Sequence, residues 1–121
     1  MYSVRIEDWF AAAHFLTHYH GKCERLHGHN YRVRVTASGA ALDEGGMLVD
    51  FGVLKKALRG IMGELDHTSL NDHPEFADGS PSAERIAKYV FERMSKSLPD
   101  VTLSLVEVFE TETNRAAYSP G

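Results

Sequence analysis

Residues 27–38 read HGHNYRVRVTAS. Taken alternately, His27, His29, Tyr31, Val33, Val35 and Ala37 fall on one face, and Asn30, Arg32, Arg34, Thr36 and Ser38 on the other. Apolar residues against polar ones with a period of two predict a half-buried strand. The chain upstream repeats the pattern. Tyr2, Val4, Ile6, Phe10, Ala12 and His14 share a face that only Asp8 interrupts, opposite Ser3, Arg5 and Glu7. A polar connection containing Gly21 separates the two segments. If they pair as an antiparallel hairpin, the joined ends are neighbours, and His14, His27 and His29 converge on the apolar face at one end of the sheet.

Working outward toward the C-terminus, Phe51, Leu54, Leu58, Ile61 and Leu65 recur at spacings of three and four behind Asp50, a suitable N-cap. This predicts an amphipathic helix ending near Asp66 and His67. A polar, turn-prone stretch follows, TSLNDHPEFADGS. A second helix is expected from Ser80 and Pro81, serine as cap and proline at the first helical position, with Ala83, Ala87, Val90 and Met94 as its apolar stripe. The tail, rich in Val, Leu, Phe and Thr, reads as a strand and a short last strand, its alternation blurred between Val106 and Val108. The fold class is α+β, with two helices on one face of an antiparallel sheet.

The 121 residues predict a single domain spanning 1–121. A formal charge of −4 and the lack of a long basic run exclude a general nucleic-acid binder. No stretch reaches the length of a membrane span, and the first residues, MYSVRIEDWF, lack a signal-peptide pattern. The single cysteine, Cys23, forms no intrachain disulfide, so a cytoplasmic location is expected.

Three imidazoles suit zinc, whose catalytic sites use three protein ligands and keep one position open. Residues two apart on a strand point the same way, so the His27 and His29 pair can serve one ion. The alternative is three separate strand-end histidines, solvated or hydrogen-bonded. Asp66 beside His67 is either an acid–base relay or a cationic helix terminus. Cys23, in the polar run GKCER, is an inert small residue, a thiol activated by a neighbouring cation, or a fourth ligand closing a structural site. Glu107 and Glu110 interrupt an apolar strand, facing either solvent or a pocket where a carboxylate can grip a guanidine-like ring edge.

Six segments in order, FAAAHFL, CERLHGHNY, GMLVDFGVLKKAL, LDHTSLND, SPSAERIA and VFET, resemble the 6-pyruvoyltetrahydropterin and 6-carboxytetrahydropterin synthase family over nearly the whole chain. The resemblance implies the tunnelling fold, in which subunits join their sheets into a β-barrel, usually as a hexamer made of two trimers. It implies a lyase acting on 7,8-dihydroneopterin triphosphate, with active sites at subunit interfaces. His14, His27 and His29 resemble the zinc ligands and Cys23 the catalytic thiol. Asp66 and His67 resemble the acid–base pair supplied by a neighbouring subunit. Glu110 resembles the carboxylate that holds the pterin, and Glu84 a second pterin contact. Ser82 stands where the family usually has threonine, a change that keeps the hydroxyl.

The spacing C-x-x-x-H-G-H resembles the 6-carboxytetrahydropterin synthases of queuosine biosynthesis. Glu24, three residues before the H-G-H, resembles members that form 6-hydroxymethyldihydropterin for folate; the bland reading is a solvated glutamate. A pyruvoyl-forming or dual activity stays open, as does a non-catalytic zinc module. A cupin-like oxygenase is disfavoured because NYRVRV follows His29 where cupins place a glutamate.

Overall fold

The structure, a computed structural model, describes residues 1–17, 21, 24–77 and 79–121. Cys23, with His18, His20 and Lys22, lies outside the described residues. The strands are β1 (Tyr2–His14), β2 (His27–Gly39), β3 (Thr68–Ser69), β4 (Leu103–Phe109) and β5 (Arg115–Tyr118); the helices are α1 (Phe51–Leu65) and α2 (Ala83–Ser97). They form one sheet in the order β3-β1-β2-β4-β5, antiparallel except where β3 joins β1 in parallel.

The β1–β2 register runs from Tyr2↔Gly39 to His14↔His27. It puts Ile6, Phe10, Tyr31, Val33 and Val35 in the core beneath the helices. A slip of one residue would turn every one of these side chains to the other face, so burial fixes the pairing. α1 contributes Leu54, Leu58, Ile61, Met62 and Leu65, all buried, and Asp50 caps it by accepting from the Gly52 N–H at 2.7 Å. Burying each of these leucines stabilises the fold by about 1.5–3 kcal/mol. Arg93 of α2 grips Glu64 of α1 with two hydrogen bonds, 2.6 and 2.9 Å. The Arg93 guanidinium holds the Glu64 carboxyl below its usual range.

Several details correct or explain the expectation. α2 begins two residues later, with Ser82 as its cap; the Ser82 hydroxyl accepts from the Arg85 N–H at 3.2 Å. Pro81 therefore stays outside the helix, its carbonyl used elsewhere. The turn-prone stretch contains β3 and two short 3-10 turns, Leu70–Asp72 and Pro74–Phe76, which bury Leu70 and Phe76. Val106, Glu107, Val108 and Phe109 are all buried, which is why alternation fails there. On the helix-free face, Phe109 lies 4.0 Å beneath the Arg32 guanidinium. Glu107, only 4% exposed, is bonded to Arg115 at 2.8 Å with Arg34 at 3.9 Å. Among the described residues no helix is long and apolar enough to cross a membrane.

Candidate metal centre

The last pair of the β1–β2 register is His14↔His27, and Ala12↔His29 precedes it by two. All three imidazoles stand on the helix-facing side, with one ring nitrogen from each within 4.8 Å of the others. His14 is fully buried; His27 and His29 are half-buried.

Hydrogen bonding fixes which nitrogens face inward. His14 Nδ1 lies 2.7 Å from the Pro81 carbonyl and His27 Nδ1 2.7 Å from the Arg25 carbonyl. A carbonyl only accepts, so each Nδ1 carries the hydrogen and each neutral ring presents a bare Nε2 lone pair. Those two Nε2 atoms are 3.0 Å apart. Lone pair against lone pair at that distance is repulsive, and a cation between them removes the conflict. Two nitrogens on a tetrahedral zinc at 2.0–2.1 Å lie roughly 3.3 Å apart, close to what is seen. His29 Nε2 is buried without a hydrogen-bond partner among the described residues. The three residues therefore fit a metal ion.

Electrostatics favour the same state. Burial holds His14 below the ordinary imidazole range, partly offset by the Pro81 carbonyl and the Glu110 carboxylate. Burial lowers His29 likewise, again against Glu110. Rings kept neutral are ready ligands.

Glu110 follows the end of β4. Its Oε1 is 3.9 Å from His14 Nε2 and its Oε2 3.8 Å from His29 Nε2, contacts too long for hydrogen bonds. Its N–H donates to the Asn114 carbonyl at 3.1 Å across the β4–β5 turn. The Thr111 hydroxyl steadies that turn by accepting the Thr113 and Asn114 N–H groups at 3.3 and 3.0 Å. A cleft of about 350 Å³ opens beside Glu110, lined also by Leu16, Ser82, Glu84 and Asn114, with Glu84 on the exposed side of the first turn of α2. This volume lies in the range of small-molecule sites. A larger cavity, about 610 Å³, touches Glu110 and His29 but extends along the helix-free face past Trp9, Arg32 and Phe109.

The structure thus brings His14, His27, His29 and Glu110 together, with Glu84 sharing the cleft. Asp66 and His67 form a separate pair at the β3 edge. Asp66 Oδ1 accepts from the Ala11 N–H at 2.8 Å and Oδ2 lies 2.9 Å from His67 Nδ1. Those hydrogen bonds, the Ala11 one foremost, pull the Asp66 carboxyl down. His67 sits at φ 58°, a left-handed position, with its side chain 82% exposed. No hydrogen bond or ion pair joins this pair to the three histidines among the described residues. Glu24 is exposed just before β2, its N–H donating to the Gly21 carbonyl at 3.1 Å.

Two contributors were not foreseen. The Pro81 carbonyl leaves no trace in a side-chain pattern. Tyr31 was legible, standing two residues beyond His29 on the same face. Its ring stacks on Phe10 at 4.7 Å and meets His29 edge-on at 5.3 Å, while its hydroxyl is buried without a partner among the described residues. Burial, and then the Glu110 carboxylate, push that hydroxyl far above its ordinary range.

A 6-carboxy-5,6,7,8-tetrahydropterin synthase of Synechocystis is 41% identical over 124 residues, covering 98% of this chain and 93% of that protein. The human 6-pyruvoyl tetrahydrobiopterin synthase is 40% identical over 102 residues, covering 81% and 70%. The solved 6-pyruvoyl tetrahydropterin synthase of Caenorhabditis elegans superposes with a TM-score of 0.88 at 29% identity, covering 99% of this chain and 96% of the other. The family model for 6-pyruvoyl tetrahydropterin synthase matches residues 3–121, and with these relatives and this fold the chain belongs to that family.

Proposed function

We propose that the chain is a zinc-dependent 6-carboxy-5,6,7,8-tetrahydropterin synthase, converting 7,8-dihydroneopterin triphosphate with loss of triphosphate and acetaldehyde, in queuosine and related 7-deazapurine biosynthesis. Family membership makes it an enzyme of the tetrahydropterin synthase type, a lyase. The observation that carries the metal reading is the pair of Nε2 lone pairs at 3.0 Å, beside a third buried nitrogen that lacks a partner among the described residues.

His14, His27 and His29 hold the zinc. When bound there, zinc supplies Lewis-acid polarisation of the substrate's side-chain hydroxyls. Glu110 accepts hydrogen bonds from the amino-pyrimidine edge of the pterin, with Glu84 as a second contact in the same cleft; both orient the ring rather than perform chemistry. Cys23, as thiolate, removes a proton near C6 of the pterin. Asp66 holds His67 as a proton carrier for the opposite face, donated to the site of a neighbouring subunit. The 82% exposure of His67 suits a group meant for another chain. This role calls for a homo-oligomer, a hexamer of two trimers whose sheets join into a barrel. The proposed location is cytoplasmic.

The carboxy product is favoured over the pyruvoyl one by the C-x-x-x-H-G-H spacing and by the near end-to-end match to the Synechocystis protein. Glu24, adjacent to Cys23, supports a second reading, in which a carboxylate base diverts part of the substrate to 6-hydroxymethyldihydropterin. The test is incubation of zinc-loaded protein with dihydroneopterin triphosphate and mass analysis of the pterins. A dominant 6-carboxytetrahydropterin peak is expected. A pyruvoyl product would overturn the assignment, and a hydroxymethyl fraction lost in Glu24→Ala would establish the dual reading.

A further inference from the structure

We propose that Tyr31 is a positioning residue for Glu110, its hydroxyl donating a hydrogen bond to the Glu110 carboxylate when a pterin occupies the cleft. The inference rests on the pterin reading above and adds to it a residue that reading does not use.

Tyr31 is fully buried, clamped by Phe10 stacked at 4.7 Å and by the edges of His14 and His29 at 5.8 and 5.3 Å. Phenylalanine would fill this slot equally well. A tyrosine instead buries a hydroxyl with no partner among the described residues, which is unfavourable unless some state of the molecule uses it. The strand register says where a partner lies. Arg32 pairs with Phe109, so one step further brings Tyr31 abreast of Glu110. Val33 and Val108, paired one step the other way, are both in the core, so Tyr31 and Glu110 share that face. Cross-strand neighbours on one face are within side-chain reach.

Glu110 at present leans toward His14 and His29 without a hydrogen bond to either. A carboxylate offers about four lone-pair sites, of which paired bonds to an amino-pyrimidine edge use two. The spare sites need a donor within the protein. Tyr31 is a buried, idle donor on the adjoining strand, and its ring is too tightly held to turn elsewhere. The same clamp makes it a fixed reference for the carboxylate.

The experiment is a binding cycle with neopterin as the fluorescent probe, on zinc-loaded wild type, Tyr31→Phe, Glu110→Gln and the double variant. Zinc content and thermal midpoint are measured in parallel. Tyr31→Phe should keep its zinc and an unchanged or raised midpoint, yet bind neopterin about tenfold more weakly, as for one lost bond to a charged group. In the Glu110→Gln background the same change should cost little, because the two residues act together. Unchanged affinity in Tyr31→Phe, equal penalties in both backgrounds, or weakened binding that merely follows lost zinc or a lowered midpoint would each overturn the role of Tyr31. A wild type that binds no neopterin overturns the pterin reading itself, and the inference with it.

Discussion

Replacing His27 by alanine separates the metal from the fold. His27 is half-buried, and besides the close His14 nitrogen its hydrogen bond is to the Arg25 carbonyl two residues away. Removing it costs the metal-free protein little, roughly 0–1 kcal/mol, and relieves the 3.0 Å approach of the two bare nitrogens. A ligand that binds only the folded state at about a hundred times its Kd stabilises by about 2.7 kcal/mol. For a chain of this size each kcal/mol moves the midpoint by roughly 3–5 °C, so zinc should raise the wild-type Tm by roughly 8–14 °C. In His27→Ala that increment should largely vanish while the metal-free Tm stays near wild type. His14→Ala gives a contrasting control. It removes a fully buried ring and strands the Pro81 carbonyl, so the metal-free protein should lose about 2–4 kcal/mol as well as the zinc response. Thermal unfolding with and without chelator reads all three. A zinc increment in His27→Ala equal to that of wild type would refute the ligand assignment.

Cys23→Ala should keep one zinc per chain by metal analysis and lose turnover by a factor of about 100 or more, as for a missing general base; loss of the metal would instead make Cys23 a ligand in a closed site. In the metal-free protein, burial keeps His14 and His29 from taking up protons that the unfolded chain accepts near pH 6.5. The unfolded state then binds more protons below that pH, so urea midpoints should fall as pH drops from about 7.5 to about 5.5; a flat profile would contradict the neutral-ring picture. Ser82→Ala removes the cap on the Arg85 N–H and should cost about 1 kcal/mol, a midpoint lower by roughly 3–5 °C.

Much of this site was legible because parity alone assigns a strand residue to a face. His14, Tyr31 and the His27–His29 pair follow from counting by two, and the hairpin does the rest. α1 was nearly as readable, since Asp50 and the stripe from Leu54 to Leu65 obey one period, but Phe51, counted in that stripe, is exposed in the first turn. The start of α2 was less so. Ser80-Pro81 and Ser82 both satisfy local capping rules, and the choice falls to a tertiary contact, Pro81 with His14, that no local rule contains. Glu107 defeated the alternation for a related reason: arginines from neighbouring strands cover a carboxylate that its own strand leaves bare. A two-residue strand such as Thr68–Ser69 has no period to detect.

The bond between His14 and the Pro81 carbonyl spans 67 positions of chain. The tautomer of that imidazole is set by a carbonyl from a segment made long after it on a ribosome. If zinc binds as proposed, its capture should await the docking of the segment that carries Pro81. In refolding followed by stopped flow, the rate of metal uptake should saturate with zinc concentration at the rate of helix docking. A chain cut before residue 81 should then acquire zinc only weakly.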